Sequence, residues 1–194
     1  MPIYDRFINN RILLYTRRPH PQKYCAPTTV GEILDILINK HIPTHDIAKQ
    51  LDWPHTKIIS GSYGTDAIIA GVTNLSENKI KHRILKCQDT ELCWNELKNF
   101  IKSDNGLLFY HEKGHHVLLC GYSTECIISS NNVWDHSHMG KEGYENQRHW
   151  LFKSEHNIKT ADNIRDGIIV QVDFREVCKS LHKYPHTNLV YFYT

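Results

Sequence analysis

The chain has 194 residues, 40% of them hydrophobic and 23% charged, with a formal net charge of +2. That length and balance suit one soluble-type domain with a proper core. The near-neutral charge gives no broad basic surface of the kind a nucleic-acid binder needs. No stretch approaches the roughly 18 continuous apolar residues of a membrane-spanning helix. The opening "MPIYDRFINNRILLYTRR" lacks the basic start, apolar stretch and small-residue cleavage site of a secretory signal. The expectation is a cytoplasmic protein, or one exported without a classical signal peptide into another cell.

The first firm element follows "PQKYCAPTTVGEILDIL" at 21–37. Val30, Ile33, Leu34, Leu37 and Ile38 recur at i, i+3, i+4, i+7 and i+8, one buried face of a helix. Pro27 fits only the first turn of such a helix, where its missing N–H leaves no bond unmade. Cys25 therefore stands at the helix N-terminus, where unpaired N–H groups and the macrodipole favour a thiolate. Next, "PTHDIAKQLDW" predicts a short helix capped near Thr44, and "GSYGTDAIIAGVTNL" a glycine-rich loop leading into another helix. The alternation of "KIKHRILKC" predicts a strand, with Lys79, Lys81, His82, Arg83 and Lys86 as a solvated basic face. "DTELCWNELKNFIKSDNG" reads as a helix with Leu92, Leu97, Phe100 and Ile101 inward and Gly106 as its stop.

The character then changes. "GLLFYHEKGHHVLLCGYSTECIISSNNVWD" predicts three successive strands, with turns at Glu112–Gly114, Ser123–Glu125 and Asn131–Asn132. Residues 136–166 are polar and irregular, which suggests a loop or insertion. "DGIIVQVDF" and "NLVYFYT" predict late strands, separated by a short helix around Arg175–His182. Helices first and antiparallel strands later give an α+β class. The whole of 1–194 is expected as a single domain, its core at about 22–135 and C-terminal strands at 167–194. Cys25, Cys87, Cys93, Cys120, Cys126 and Cys178 contain no CxxC pair, and their spread predicts reduced thiols rather than a disulfide scaffold.

A thiol nucleophile needs a base for its proton, and the base needs a group that holds its ring. "HHVLLCGY" opens a strand with two histidines, and "NNVWD" ends a later strand in a carboxylate. Cys25, His115 and Asp135 then form a candidate catalytic triad in chain order. His116 is the rival base, because strand alternation sends it to the face opposite His115. Asn131 and Asn132 are substitutes for Asp135.

These motifs resemble the papain-like cysteine peptidase superfamily, and within it the compact bacterial bacteriocin-leader peptidases. The resemblance covers about residues 22–135. It implies a papain-like fold, with a helix opened by the nucleophilic cysteine packed on an antiparallel sheet. It also implies a catalytic histidine six positions before a Gly-Tyr pair, which here selects His115 ahead of Gly121, and an acid one hairpin later. In that family a glutamine about six residues before the cysteine assists the oxyanion. Position 19 is Pro19 here and the nearest glutamine is Gln22, so Gln22 or the Cys25 N–H takes that role. The family's glycine after the cysteine is replaced by Ala26.

The implied function is a cysteine-dependent hydrolase of a peptide or amide bond, with a protein or peptide substrate and no cofactor or metal. A bacterial effector or toxin is the implied setting. A protein deamidase, a peptidoglycan amidase and an acyl transferase share the chemistry. The alternative from another class is a non-enzymatic or zinc-binding module that uses His111, His115, His116, His136 and His138 with Cys120 nearby.

Overall fold

The computed structural model describes residues 7–9, 24–86, 90–112, 115–122, 126–131, 148–151, 168–173 and 189–194. Among the described residues, the N-terminal half is mainly helical: α1 (Cys25–Ile38), α2 (Thr44–Gln50), α3 (His55–Ile59) and α4 (Thr65–Leu75). β1 (Phe7–Ile8) precedes them, and β2 (Lys81–Leu85) and α5 (Thr90–Lys102) follow. Then come β3 (Gly106–Glu112), β4 (His115–Tyr122), β5 (Cys126–Asn131), β6 (Arg148–Leu151), β7 (Ile168–Asp173) and β8 (Leu189–Tyr193). The strands form one antiparallel sheet in the order β2-β8-β3-β4-β5-β7-β6, with β1 beside the far end of β4. The class is α+β, as the sequence predicts.

The apolar face of α1 behaves as its spacing requires, with Val30, Ile33 and Leu34 wholly buried. The helix closes at Asn39, whose φ of 52° is left-handed. The N–H of Asn39 donates to the Asp35 carbonyl and that of Lys40 to the Leu34 carbonyl, which satisfies carbonyls left over at the helix end. Helix α4 packs on α1 through Gly71. A Cβ there would lie 2.9 Å from Leu51 Cδ1 and 3.3 Å from Val30 Cγ2, so even a methyl group would require those side chains to shift.

The sheet is covered on both sides. Leu107, Phe109, Leu118, Val190 and Phe192 share one core with Val30, Ile33 and Leu34 of α1 and with Ile68 and Val72 of α4. Leu85, Leu108, Leu119, Leu189 and Tyr191 face the other way, onto Cys93, Leu97 and Ile101 of α5. β8, "LVYFY", is apolar without alternation for this reason, since both of its faces are buried.

Several expectations are corrected. The segment 136–166 contains a strand, β6, paired with β7 from Arg148↔Gln171 to Leu151↔Ile168. Thr44 is the first residue of α2 rather than its cap, and the cap position is Pro43. Two elements, β1 and α3, were not predicted. The expected turns at 113–114 and 123–125 and the helix around Arg175–His182 lie outside the described residues.

Two substitutions measure the packing. Leu34→Ala should lower unfolding free energy by about 2–5 kcal/mol, while Ile84→Ala at an exposed position should stay within about 0.5 kcal/mol. Gly106→Ala would drive a methyl into the Tyr191 ring and should cost about 1–3 kcal/mol. Urea midpoints of the three variants check the order, and an Ile84 effect equal to that of Leu34 would contradict it.

Candidate active site

Cys25 is the first residue of α1. Tyr24, just before it, is buried and pins the helix start from two directions. Its carbonyl accepts hydrogen bonds from the Thr28 N–H at 3.2 Å and the Thr28 hydroxyl at 2.7 Å. Its phenol meets His55 Nδ1 at 2.5 Å, and its ring lies 5.3 Å from that of His45. Pro27 occupies the first turn, where it costs no hydrogen bond.

The helix start abuts the first residues of β4. The backbone N–H of His116 points at the Cys25 sulfur, as do those of Ala26 and Cys25 itself. Donors of this kind favour a thiolate. Burial opposes them and is the larger effect, so the Cys25 pKa is raised above the ordinary thiol value. This corrects the expectation that the helix N-terminus would leave a ready thiolate: desolvation outweighs the dipole. At neutral pH the group is a thiol, and its chemistry depends on a base.

His116 is buried, with its ring stacked on Phe109 at a centroid separation of 5.7 Å. Phe109 belongs to the core shared with α1, so the His116 ring lies on the α1 side of the sheet. His115 opens β4 in backbone register with Glu112, and its side chain lies outside the described residues. Gln22 and Asp135 also lie outside them, as do His136 and His138. Two further groups, on α1 and just before it, carry little signal in the sequence. Glu32, seven residues after Cys25 and thus on the same helical stripe, is buried at 3% exposure. The only sequence sign was a carboxylate inside the apolar run "VGEILDIL". The Tyr24–His55 pair had no local signal, because its members come from separate helices.

Among the described residues, no group of three or more His, Cys, Asp or Glu is gathered as a metal ion requires, and no helix is long and apolar enough to cross a membrane. The cysteines do not all follow the reduced-thiol expectation. Cys25 is free, whereas Cys93 on α5 is disulfide-bonded.

Alkylation without reductant should therefore modify Cys25 and leave Cys93 untouched until a reductant is added. The rate at Cys25 should be low at pH 6 and climb with a midpoint above that of a free thiol, because the thiolate appears only as pH rises through a raised pKa. A midpoint below neutrality, read by peptide mass spectrometry, would contradict the dominance of burial.

Compared with known proteins, the chain matches no protein-family model, and no curated protein matches it significantly.

Proposed function

We propose that the chain is a cysteine-dependent hydrolase of peptide or amide bonds, on a papain-like arrangement of helix and sheet. The observation that carries this reading is the meeting of the Cys25 thiol with the start of β4, where the His116 N–H reaches the sulfur. A nucleophile on one element thereby stands beside a histidine pair from a distant part of the chain, which is what thiol catalysis requires.

In the proposed reaction the Cys25 sulfur attacks the substrate carbonyl carbon as its proton passes to His116, whose ring lies on the α1 side of the sheet, and an S–C bond forms. The negative oxygen that results is held by backbone N–H donors at the helix start, with Gln22 as a further donor. Collapse breaks the C–N bond, and the imidazolium returns its proton to the leaving amine. Water then attacks the thioester, giving its proton to His116; the C–S bond breaks, the acid departs, and the imidazolium returns the proton to sulfur. Asp135 orients the imidazole. A neutral, half-buried thiol suits this sequence, since proton removal is coupled to attack. Deamidation, peptidoglycan amide cleavage and acyl transfer differ only in the leaving group or the acceptor.

His116 is favoured as base by its ring lying on the α1 side of the sheet, and His115 is the second candidate. The spacing to Gly121 favours His115. The setting proposed is export, because the Cys93 disulfide suits an oxidising compartment.

Wild type, Cys25→Ala, His115→Ala and His116→Ala, each expressed in bacterial and in eukaryotic cytosol, separate these assignments. Proteome-wide mapping of new N-termini and deamidated sites should show discrete products with the wild type and none with Cys25→Ala. The histidine that serves as base should lower turnover about 10²–10⁴-fold without loss of fold, while the other should act mainly on stability. Identical proteomes for wild type and Cys25→Ala would overturn the hydrolase and leave a binding module.

A further inference from the structure

Strand β2 ends the sheet on the side of β8, and its outer edge meets no other strand among the described residues. Its pairing with β8 is regular over five positions, Lys81↔Tyr193 to Leu85↔Leu189. The strand contains no proline or glycine. An edge of this kind turns the N–H and C=O of alternate residues outward, ready for another strand.

The side chains of β2 divide sharply between its faces. Lys81 and Arg83 stand opposite Tyr193 and Tyr191 on the α5 side, and His82 and Ile84 stand opposite Phe192 and Val190 on the α1 side. Residues 81–84 are all exposed, and Ile84, at 42%, is one of two exposed large hydrophobics among the described residues. Arg83 is occupied, since it bonds Glu96 at 2.8 Å. Lys81, which opens the strand, and Lys86, just past its end, meet no carboxylate among the described residues.

Lysines on an edge commonly serve only to repel other strands. That role does not account for Ile84, an apolar group left in water on the same edge. Cationic positions on one face with an apolar position on the other specify a complementary strand, because directly opposed side chains share a face. A second copy of β2 fits badly, since full antiparallel self-pairing sets Arg83 against Arg83 and puts Leu85, not a carboxylate, opposite Lys81.

We propose that β2 is a docking edge for an extended acidic segment of a partner protein, added to the sheet as a further strand. Acidic residues of that segment lie opposite Lys81 and beside Lys86, and an apolar residue lies against Ile84. Main-chain hydrogen bonds supply the attachment and the alternating side chains supply the selection. The assignment is independent of any role for Cys25.

The test uses the full chain and a fluorescein-labelled ten-residue peptide of alternating Glu and Val. The expected result is saturable binding weakened by salt, together with slowed amide hydrogen exchange at residues 81–85. Lys81→Glu combined with Lys86→Glu, both at the surface, should weaken binding of this peptide about tenfold or more and create binding of the matching Lys-Val peptide. Should the double variant not fold, the salt dependence and exchange pattern of the wild type still decide. Saturation without protection at 81–85 would overturn the proposal, as would unchanged affinity in the folded double variant. Tighter binding of a single-stranded oligonucleotide would assign the basic residues to phosphate contacts and overturn it. Protection that grows with protein concentration in the absence of peptide would assign the edge to self-association, with the same consequence.

Discussion

Both faces of one antiparallel sheet are buried, and most of the structure is arranged around that requirement. One face takes α1 and α4, the other takes α5, and α1 is buried all round from Ala26 to Leu34. Burial of this kind removes roughly 25 cal/mol of unfavourable hydration for each Å² of apolar surface. Helices on both sides of the sheet withdraw that surface from water. The position of Cys25 is a by-product. The stripe of Val30, Ile33 and Leu34 fixes α1 against the sheet, and the N-terminus of the helix then arrives at the first residues of β4.

At that junction two physical effects oppose one another. Helix-terminal N–H groups and the His116 N–H stabilise negative charge on sulfur, while withdrawal from water destabilises it, and the second is larger. A thiol so placed is held in its protonated, less nucleophilic form. The same N–H donors remain available for an oxygen that gains charge during a reaction, and such donors act most strongly where water is scarce.

What could be read in the sequence divides along physical lines. α1, α4 and α5 were legible because each repeats apolar residues at helical spacing for more than two turns. β3, β4 and β5 were legible because their apolar runs are set apart by turn residues. β6, "RHWL", lay hidden in polar surroundings, since an edge strand of four residues needs little apolar patterning. α3, "HTKII", is too short to show a period. At the candidate site, the helix-opening place of Cys25 followed from Pro27 and the apolar stripe. Its protonation state did not, because spacing reports dipoles and not depth of burial. The burial of Glu32 and the disulfide of Cys93 escaped for a related reason. Both are settled by what arrives from elsewhere in the chain, and a local pattern carries no record of it.

The place of β8 within the sheet has a kinetic consequence. It lies between β2 and β3, although Leu85 and its partner Leu189 are about a hundred residues apart in the chain. Closing so long a loop exacts its entropy before any ladder bond is made. α1 to α4 can associate through near neighbours, yet β2 and β3 must wait with a strand-wide gap between them. Until β8 fills it, Leu107, Phe109 and Leu108 flank an open slot whose walls are apolar and whose edges carry unpaired backbone groups. The topology thus makes the insertion of β8 an entropically costly step, and a sheet lacking that strand would present apolar walls and open edges to aggregation.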